Sequence, residues 1–416
     1  MKIYLSKNKI IQNIIMLLTI MLFSSFIIFD TYSKVSLILS GITSLILIFS
    51  ILQNGISKKF KIGKYHLFIG IFASYCLLSS IWSVYPERAI EKGITIFEIL
   101  ICYSVLYSYY SRFDSTKKLL LCIAWSSVFI SLYTIYFYGI SFILSSLSSG
   151  KRLDNDFANI NSVSGIAAVG IIVLFYFIFY EKKYKYIPFT IINVFIIAAS
   201  GSRKSLILPI VGCFLIIIII NFKNKNFLLN MIKGIILVIF FSIVVKLILQ
   251  MPAFEMLNTR IGGLVASFTG HGEVDSSASM RKQMILLGWE QFKKTPFLGV
   301  GIGNSGPIIL AGTKYDNSYL HNNFIELLAC GGIIGFLIFY NIYFYIFYIF
   351  YKNWKYRIDT SIVCFVVCFC LFILDYGQVS YSSKETYFYF MIFFLCISEL
   401  KKRKYILRKK RRKIEN

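Results

Sequence analysis

Two arginines and one histidine stand in or beside the connections between long apolar stretches, and their chemistry is the first clue in this sequence. Arg203 follows a Ser-Gly-Ser turn, Arg281 begins the segment that leads to the glycines after Pro296, and His321 precedes two asparagines. Arginine donates two parallel hydrogen bonds to phosphate-type anions and stays charged at any relevant pH. Histidine is the side chain best suited to accept a hydroxyl proton near neutral pH. These residues are candidates for holding an anion and activating a hydroxyl.

Each candidate also has a plainer interpretation. Arg203 and Lys204 could extend toward lipid headgroups, which suits Lys204 better than Arg203. The side chain of Arg281 could belong to an ordinary solvated helix face, together with Lys282. His321 could be a hydrogen-bonded cap or interface residue at a helix start.

One further cation stands in a polar connection earlier in the chain. Arg152 lies close in sequence to Asp154 and Asp156, and a polar Asn159-Ile160-Asn161 segment follows. Its guanidinium could bind a sugar or phosphate, or it could simply pair with the neighbouring carboxylates. The sequence does not decide between these interpretations.

Apolar runs recur from one end of the chain to the other, and they predict an all-α polytopic membrane protein. The sequence has 416 residues, of which 57% are hydrophobic and 18% aromatic. Runs such as 10–29 and 206–220 are too long and continuous for amphipathic helices, and the alternation of a membrane barrel is absent. We predict twelve transmembrane helices, at residues 10–29, 35–52, 65–82, 93–110, 119–138, 161–180, 187–200, 205–220, 228–249, 320–350, 361–376 and 386–399.

The net charge of +25 has to be judged by where the cations lie. With the N-terminus placed in the cytoplasm, most Lys and Arg residues fall in cytoplasmic segments, as the positive-inside rule expects. The charge therefore predicts a multi-pass topology with both termini cytoplasmic, and it does not indicate a nucleic-acid groove. The basic run 401–413 is expected to adhere to anionic membrane lipids. The cytoplasmic cations lie in the N-terminus, 58–64, 112–118, 182–185, 223–225, 352–357 and the tail from Lys401.

The segments between the spans argue against several other kinds of site. The cytoplasmic connections are short and contain no nucleotide-phosphate motif, so the energy for any reaction must come with the substrate. The nine cysteines lie in or at the ends of apolar spans, where they serve as small packing residues. The carboxylates of residues 251–320 have no metal-ligand spacing. We therefore predict chemistry that needs neither a metal nor a cofactor.

One extracytoplasmic loop is far longer than the other connections. It spans 251–320, between the ninth and tenth predicted helices, and long loops of this kind usually carry function. Within it, Met280–Lys294 is predicted to form a short amphipathic helix, and the glycines after Pro296 predict an irregular turn region. The predicted organisation is a nine-helix membrane region (1–250), this loop (251–320), three C-terminal transmembrane helices (321–400) and a basic cytoplasmic tail (401–416).

Taken in order, these motifs resemble the O-antigen ligase and polymerase family of bacterial surface-polysaccharide assembly. No single piece is specific, but their order, their outer-face location and the long loop between them cover most of the chain. The matching pieces are Trp82-Ser83 with Pro86-Glu87, Arg152 with Asn159 and Asn161, Ser200-Gly201-Ser202-Arg203, Arg281 to Trp289 leading into Pro296 to Gly301, and His321-Asn322 with Gly332 and Gly335.

The resemblance implies an inverting, metal-independent glycosyltransferase at the outer face of the bacterial inner membrane. Its donor would be an undecaprenyl-diphosphate-linked oligosaccharide. Arg203 and Arg281 would match the family's diphosphate-binding arginines, and His321 its catalytic base. A flippase and a chain-length regulator would be the expected partners besides membrane lipids, and no nucleic acid is implied. Further substrate contacts would come from Arg152, Lys204, Lys282 and Asn322.

The acceptor is open within the family. A polymerase uses another lipid-linked repeat unit, a ligase uses the lipid A core, and a third kind uses protein. The moderate loop, without an added outer domain for a protein acceptor, favours the polymerase. A polysaccharide flippase or exporter is the alternative from another class. It would be expected to show related halves and charges along a central path, whereas the cations here cluster around one loop.

Overall fold

The computed structural model describes residues 2–29, 35–54, 60–149, 153, 158–221, 232, 276–313 and 319–415. Within these ranges the regular secondary structure is helical. Arg152, the predicted span 228–249 and the first part of the predicted loop, 251–275, lie outside the described residues.

The helices follow the apolar runs of the sequence, with their ends at turns and polar residues. Their bounds are α1 (Lys2–Ile28), α2 (Val35–Asn54), α3 (Lys64–Leu78), α4 (Pro86–Tyr110), α5 (Thr116–Tyr138), α6 (Ile140–Ser148), α7 (Ile160–Phe179), α8 (Ile187–Ser200), α9 (Arg203–Asn221), α10 (Ser276–Lys294), α11 (Ser305–Gly312), α12 (Asn323–Lys352), α13 (Asp359–Leu374) and α14 (Lys384–Glu415).

Six stretches of the described residues are long and apolar enough to cross a membrane, in agreement with a helical, multi-pass membrane protein. Shorter apolar helices occupy 38–53, 184–200 and 359–374. The full set of twelve spans stays a prediction. The six stretches are Lys9–Ile28, Lys64–Ile81, Thr116–Tyr138, Ile160–Phe179, Arg203–Asn221 and Asn323–Lys352.

The structure differs from the sequence prediction at several helix bounds. α4 begins at Pro86, before the predicted span, because proline suits the first helical position and Glu87 complements the helix dipole. α11 replaces part of the predicted glycine-rich turn, since its apolar residues Ile308 and Ile309 are buried. α14 continues into the basic tail because no proline or glycine interrupts it. The short helix α6 was not predicted.

The described residues form two compact units that do not follow the order of the chain. The first unit takes its residues from 1–58, 116–273 and 358–370, and the second from 59–115, 274–357 and 371–416. Each candidate residue is therefore placed by the contacts within its own unit.

Small and polar side chains let α5, α7 and α8 pack together in the first unit. Asn193 accepts a hydrogen bond from the Ser131 hydroxyl (2.8 Å) and donates one to the Ser127 hydroxyl (3.0 Å). Gly170 of α7 lies directly against Ser127. Small residues of this kind allow close helix approach in membrane proteins, and the buried amide ties two of the helices together.

The second unit is built around α12, which bends near its start. At Gly332 the backbone has φ 61° and ψ −171°, a conformation that is essentially restricted to glycine. At the bend, backbone groups of the helix lose their usual partners within the helix. Segment 296–304 supplies the hydrogen bonds instead. The bonds run from Ile333 N–H to Pro296 O (2.8 Å), from Ile334 N–H to Phe297 O (3.3 Å) and from Val300 N–H to Ala329 O (3.2 Å).

Gly332→Ala is expected to destabilise the protein by about 1–3 kcal/mol, because the conformation is strained for any side chain. The added methyl group would also overlap the backbone of Phe297 and Leu298. The measurement is the thermal unfolding midpoint of the purified protein in detergent. Gly165→Ala in α7 is the matched control, since a Cβ there meets nothing within 4 Å. Equal midpoints for both variants would show that the bend does not depend on glycine.

Candidate functional site

His321 lies in the turn that leads into α12, and its backbone has a left-handed conformation with φ 57°. Among the described residues other than glycine, only Lys182 also has a positive φ. Such a conformation costs about 1–3 kcal/mol and persists only where the surroundings enforce it. The imidazole is half-buried, and its centre lies 4.2 Å from that of the Tyr319 ring. Because strained residues cluster at functional sites, this turn is the centre of the candidate site.

Side chains from the first turns of α12 hold both flanks of His321. Asn322 Oδ1 accepts a hydrogen bond from Ile325 N–H (3.1 Å) and caps the helix. Glu326 Oε2 accepts one from Leu320 N–H (2.8 Å). The amide before His321 and the residue after it are thus both tied to the helix.

The Glu326 carboxylate is buried, and buried charge needs compensation. The Ser305 hydroxyl at the start of α11 hydrogen-bonds it, and the Lys92 ammonium of α4 interacts with it electrostatically. The carboxylate that fixes Leu320 is therefore hydrogen-bonded from the start of α11, and the positive charge of Lys92 on α4 stabilises its charged form.

The glycine-rich segment 296–304 packs against the residues that follow α3. Gly299, Gly301 and Gly303 all have positive φ angles, and a Cβ at Gly299 would overlap the backbone of Cys330. Because of this close approach, the segment fits between the end of α3 and the bend of α12. The hydrogen bonds to the α3 side run from Val84 N–H to Val300 O (3.1 Å), from Ile302 N–H to Ser79 Oγ (3.1 Å) and from Trp82 Nε1–H to Leu298 O (3.1 Å).

Asn304 closes this segment and is a residue that sequence reasoning did not single out. Its buried side chain accepts a hydrogen bond from Tyr85 N–H (2.9 Å) and donates to the Ser83 hydroxyl (2.5 Å) and to Gly301 O (3.2 Å). The amide therefore ties the start of α4 to the glycine segment. The signal in the sequence was weak: one asparagine after a run of glycines, with partners more than 200 positions away.

Arg281 lies in the second turn of α10, on the face that approaches the His321 turn. Met284, on the same face, is buried. Gly288 packs against the side chains of Leu320 and Ile325. Arg281, Met284 and Gly288 share one face of the helix, because residues at spacings of three and seven do so. Arg281 lies about 10 Å along the helix axis from the contact at Gly288. The Arg281 side chain is half-buried, whereas that of Lys282 is exposed.

Arg203 is the first residue of α9, and both Arg203 and Lys204 are half-buried. Cations at a helix N-terminus oppose the helix dipole, so they do not serve the stability of α9. The same end favours a bound anion through its free amides. The turn before Arg203 is fixed by hydrogen bonds from Ser202 N–H to Ser200 Oγ (3.1 Å), between the Ser202 and Ser205 hydroxyls (3.0 Å) and between the Ser164 and Ser205 hydroxyls (2.9 Å).

Two further cations, Arg88 and Lys92 of α4, were missed by sequence reasoning. The Arg88 guanidinium carbon lies 5.1 Å from the centre of the Tyr85 ring, and its nitrogen borders Gly306 at the start of α11. A signal was present in the sequence. Both residues precede the predicted span 93–110, in a connection on the predicted outer side, where cations run against the positive-inside rule.

The structure brings some of the predicted residues together and not others. Arg281, Lys282, His321 and Asn322 lie in the second unit, with the first pair on α10 and the second at the start of α12. Arg203 and Lys204 lie in the first unit. Across the described ranges, no group of three His, Cys, Asp or Glu side chains could hold a metal ion.

Part of the chain matches a known protein family. Residues 188–340 match the family model described as O-antigen ligase. No curated protein matches the chain. The matched stretch runs from α8 into α12 and contains Arg203, Arg281 and His321. The match supports, through this domain, the O-antigen ligase/polymerase-like family that the sequence motifs predict.

Proposed function

We propose that this chain is a surface-polysaccharide polymerase, for O-antigen or capsule, which joins undecaprenyl-diphosphate-linked repeat units. The family in general indicates an enzyme of glycosyl transfer. The observation that carries the proposal is the left-handed turn of His321, held from both flanks in the same unit as Arg281. A strained and anchored histidine near a half-buried arginine suits proton removal beside a bound anion.

The assignment of the donor diphosphate to Arg203 and Arg281 follows from the sequence resemblance. Arg203 stands at a helix start whose free amides also favour an anion. Arg281 lies on the face of α10 that packs, at Gly288, against Leu320 and Ile325. The planar guanidinium groups offer paired hydrogen bonds to the phosphate oxygens and neutralise the charge that grows on them as the sugar leaves.

His321 acts as the general base. Its imidazole takes the proton from the acceptor hydroxyl as the hydroxyl oxygen attacks the anomeric carbon from the face opposite the diphosphate. A new C–O glycosidic bond forms, and the bond between the anomeric carbon and the phosphate oxygen breaks, so the configuration inverts. The electron pair leaves with the lipid diphosphate, a good leaving group when the arginines hold its charge. No metal and no separate general acid are needed in this step.

The cellular setting of the proposal follows from the topology predicted by sequence. Twelve spans place both termini in the cytoplasm and the candidate residues at the outer face of the bacterial inner membrane. The apolar helices would accommodate the polyprenyl chain, and a flippase would deliver the repeat units. A chain-length regulator is the further expected partner. Arg152, Lys204, Lys282 and Asn322 remain proposed substrate contacts, although the Asn322 oxygen already caps α12.

A ligase is the second candidate function, because the matching family model is itself described as O-antigen ligase. Such an enzyme would use the same donor site and the same base. The difference would lie in the acceptor, which would be a lipid A core in place of another lipid-linked repeat. The polymerase is preferred for the moderate size of the predicted outer loop.

His321→Gly is expected to slow transfer strongly while leaving the fold intact, because glycine adopts a φ of 57° without strain. His321→Asn is the matched variant, since asparagine also tolerates this conformation but cannot act as the base. Loss of about 10²–10⁴-fold in kcat is expected for both, with a thermal midpoint close to wild type. The assay follows transfer from the lipid-linked donor by the purified protein. Activity close to wild type in His321→Gly would rule out the proposed base.

Arg203→Ala and Arg281→Ala are each expected to reduce kcat/KM by about 10²-fold or more, because each removes a charge-assisted hydrogen-bond donor from the diphosphate. Lysine at either position should restore only part of the activity, since it lacks the planar fork. Lys293→Ala in α10 is the control. Its ammonium already pairs with Glu290 (2.8 Å) on an exposed surface. An equal loss in the control would indicate an effect of overall charge.

A deletion strain distinguishes the possible functions of the whole protein. With a polymerase, the strain should carry single repeat units on its surface acceptor, and the wild-type gene should restore a ladder of long chains on a gel. Accumulation of long chains on the lipid carrier would instead identify a ligase. Retention of repeat units inside the cell would indicate transport. Expression of each complementing variant is checked by immunoblot.

A further inference from the structure

Asn323, the first residue of α12, has an amide side chain whose whole hydrogen-bonding capacity is used inside the protein. The residue is fully buried. An asparagine amide can accept two hydrogen bonds at its oxygen and donate two from its nitrogen. Its oxygen accepts from Ser380 N–H (2.9 Å) and Tyr381 N–H (3.0 Å), and its nitrogen donates to the Tyr340 hydroxyl (2.8 Å) and Asp375 Oδ2 (3.3 Å).

This pattern also fixes which way the amide points. Two backbone N–H groups face the oxygen and a carboxylate oxygen faces the nitrogen, so a flipped amide would lose the bonds to Ser380, Tyr381 and Asp375. The backbone takes part as well, since Asn323 N–H donates to Asp375 O (2.8 Å). The Tyr340 hydroxyl donates in turn to Asp375 Oδ2 (3.0 Å) and closes the network. A buried amide whose four hydrogen bonds are all made within the protein favours one arrangement of the elements that it joins.

The network joins the start of α12 to the connection between α13 and α14. Asp375 follows the last residue of α13, and Ser380 and Tyr381 belong to the same connection, which ends before Lys384. All these residues belong to the second unit. Asn323 therefore anchors the helix start to a segment that is distant in sequence and lies beside the His321 turn.

His321 stands two positions before this anchor. Glu326 holds Leu320 on the other flank, and Asn322 between them caps the helix. A left-handed histidine would relax into an ordinary conformation if one flank were free to move. The orientation of the imidazole therefore depends on Asn323, although no contact between the two side chains is needed.

We infer that Asn323 is a positioning residue for His321, and that it acts by locking the strained turn onto the connection between α13 and α14. The inference rests on the proposed role of His321 as the base. Asn323 does not touch the reacting atoms in this account. Its loss should therefore lower the rate of transfer without weakening the binding of the donor.

The test measures kcat and KM for the lipid-linked donor with the purified full-length protein. Asn323→Ser is expected to lower kcat by about 10²-fold, the effect of a displacement near 1 Å, with KM little changed. Tyr340→Phe is the milder variant, because it removes one hydroxyl of the network and keeps the ring; a smaller loss in kcat is expected. Tyr343→Phe, one turn further along α12, is the control and should behave as wild type.

A readout independent of activity is the rate at which diethyl pyrocarbonate modifies His321, followed by mass spectrometry. Release of the turn should change this rate several-fold in Asn323→Ser and in Tyr340→Phe, and leave it unchanged in Tyr343→Phe. An unchanged modification rate together with an unchanged kcat would overturn the inference. If Asn323→Ser does not fold, the Tyr340→Phe comparison decides the matter alone.

Failure of the inference can be distinguished from failure of the proposed function. If His321→Gly retains transfer, the base is wrongly assigned and Asn323 has nothing to position. If His321→Gly is inactive while both network variants keep the wild-type kcat, only the positioning role is wrong. A rise in KM for the donor at constant kcat would also overturn the inference, because it would indicate a binding role.

Discussion

Backbone groups that leave a helix in an apolar environment need other partners, and the second unit is organised by this constraint. Gly332 interrupts α12, and the amides of the next two residues would be left unsatisfied. Segment 296–304 supplies carbonyls to them and takes a carbonyl of α12 in return. The bend and the glycine-rich segment therefore require each other. Together they fix the start of α12, and with it the turn that carries His321.

Three asparagines hold elements of this unit in place. Asn304 links the glycine segment to the start of α4, Asn322 caps α12, and Asn323 links α12 to the connection before α14. An uncharged amide offers both donors and acceptors, so it can satisfy backbone groups without the desolvation cost of a buried ion. The arginines remain half-buried and keep access to an anion.

Much of the helical architecture could be predicted from the sequence, because long apolar runs are a local pattern, and the six membrane-length stretches of the described residues fall on predicted spans. Arg203 and Arg281 were chosen as cations on the predicted outer side, and their role stays a prediction. The hydrogen-bond network of Asn323 could not be predicted, since its partners lie about 20 to 60 positions away. Helix α11 was missed because its glycine and proline suggested a turn, while burial of its isoleucines decided the outcome. Arg88 and Lys92 were missed although the predicted topology places them in an outer connection, because the motifs singled out there were Trp82-Ser83 and Pro86-Glu87.

The central claim is that this chain joins lipid-linked repeat units to one another and needs no other kind of acceptor. The most direct measurement reconstitutes the purified protein in lipid nanodiscs with an undecaprenyl-diphosphate-linked repeat unit as the sole substrate. The account predicts lipid-linked chains of two, three and more repeats, with release of undecaprenyl diphosphate for each bond formed. Absence of any elongated product, with transfer appearing only after lipid A core is added, would contradict the polymerase and identify a ligase.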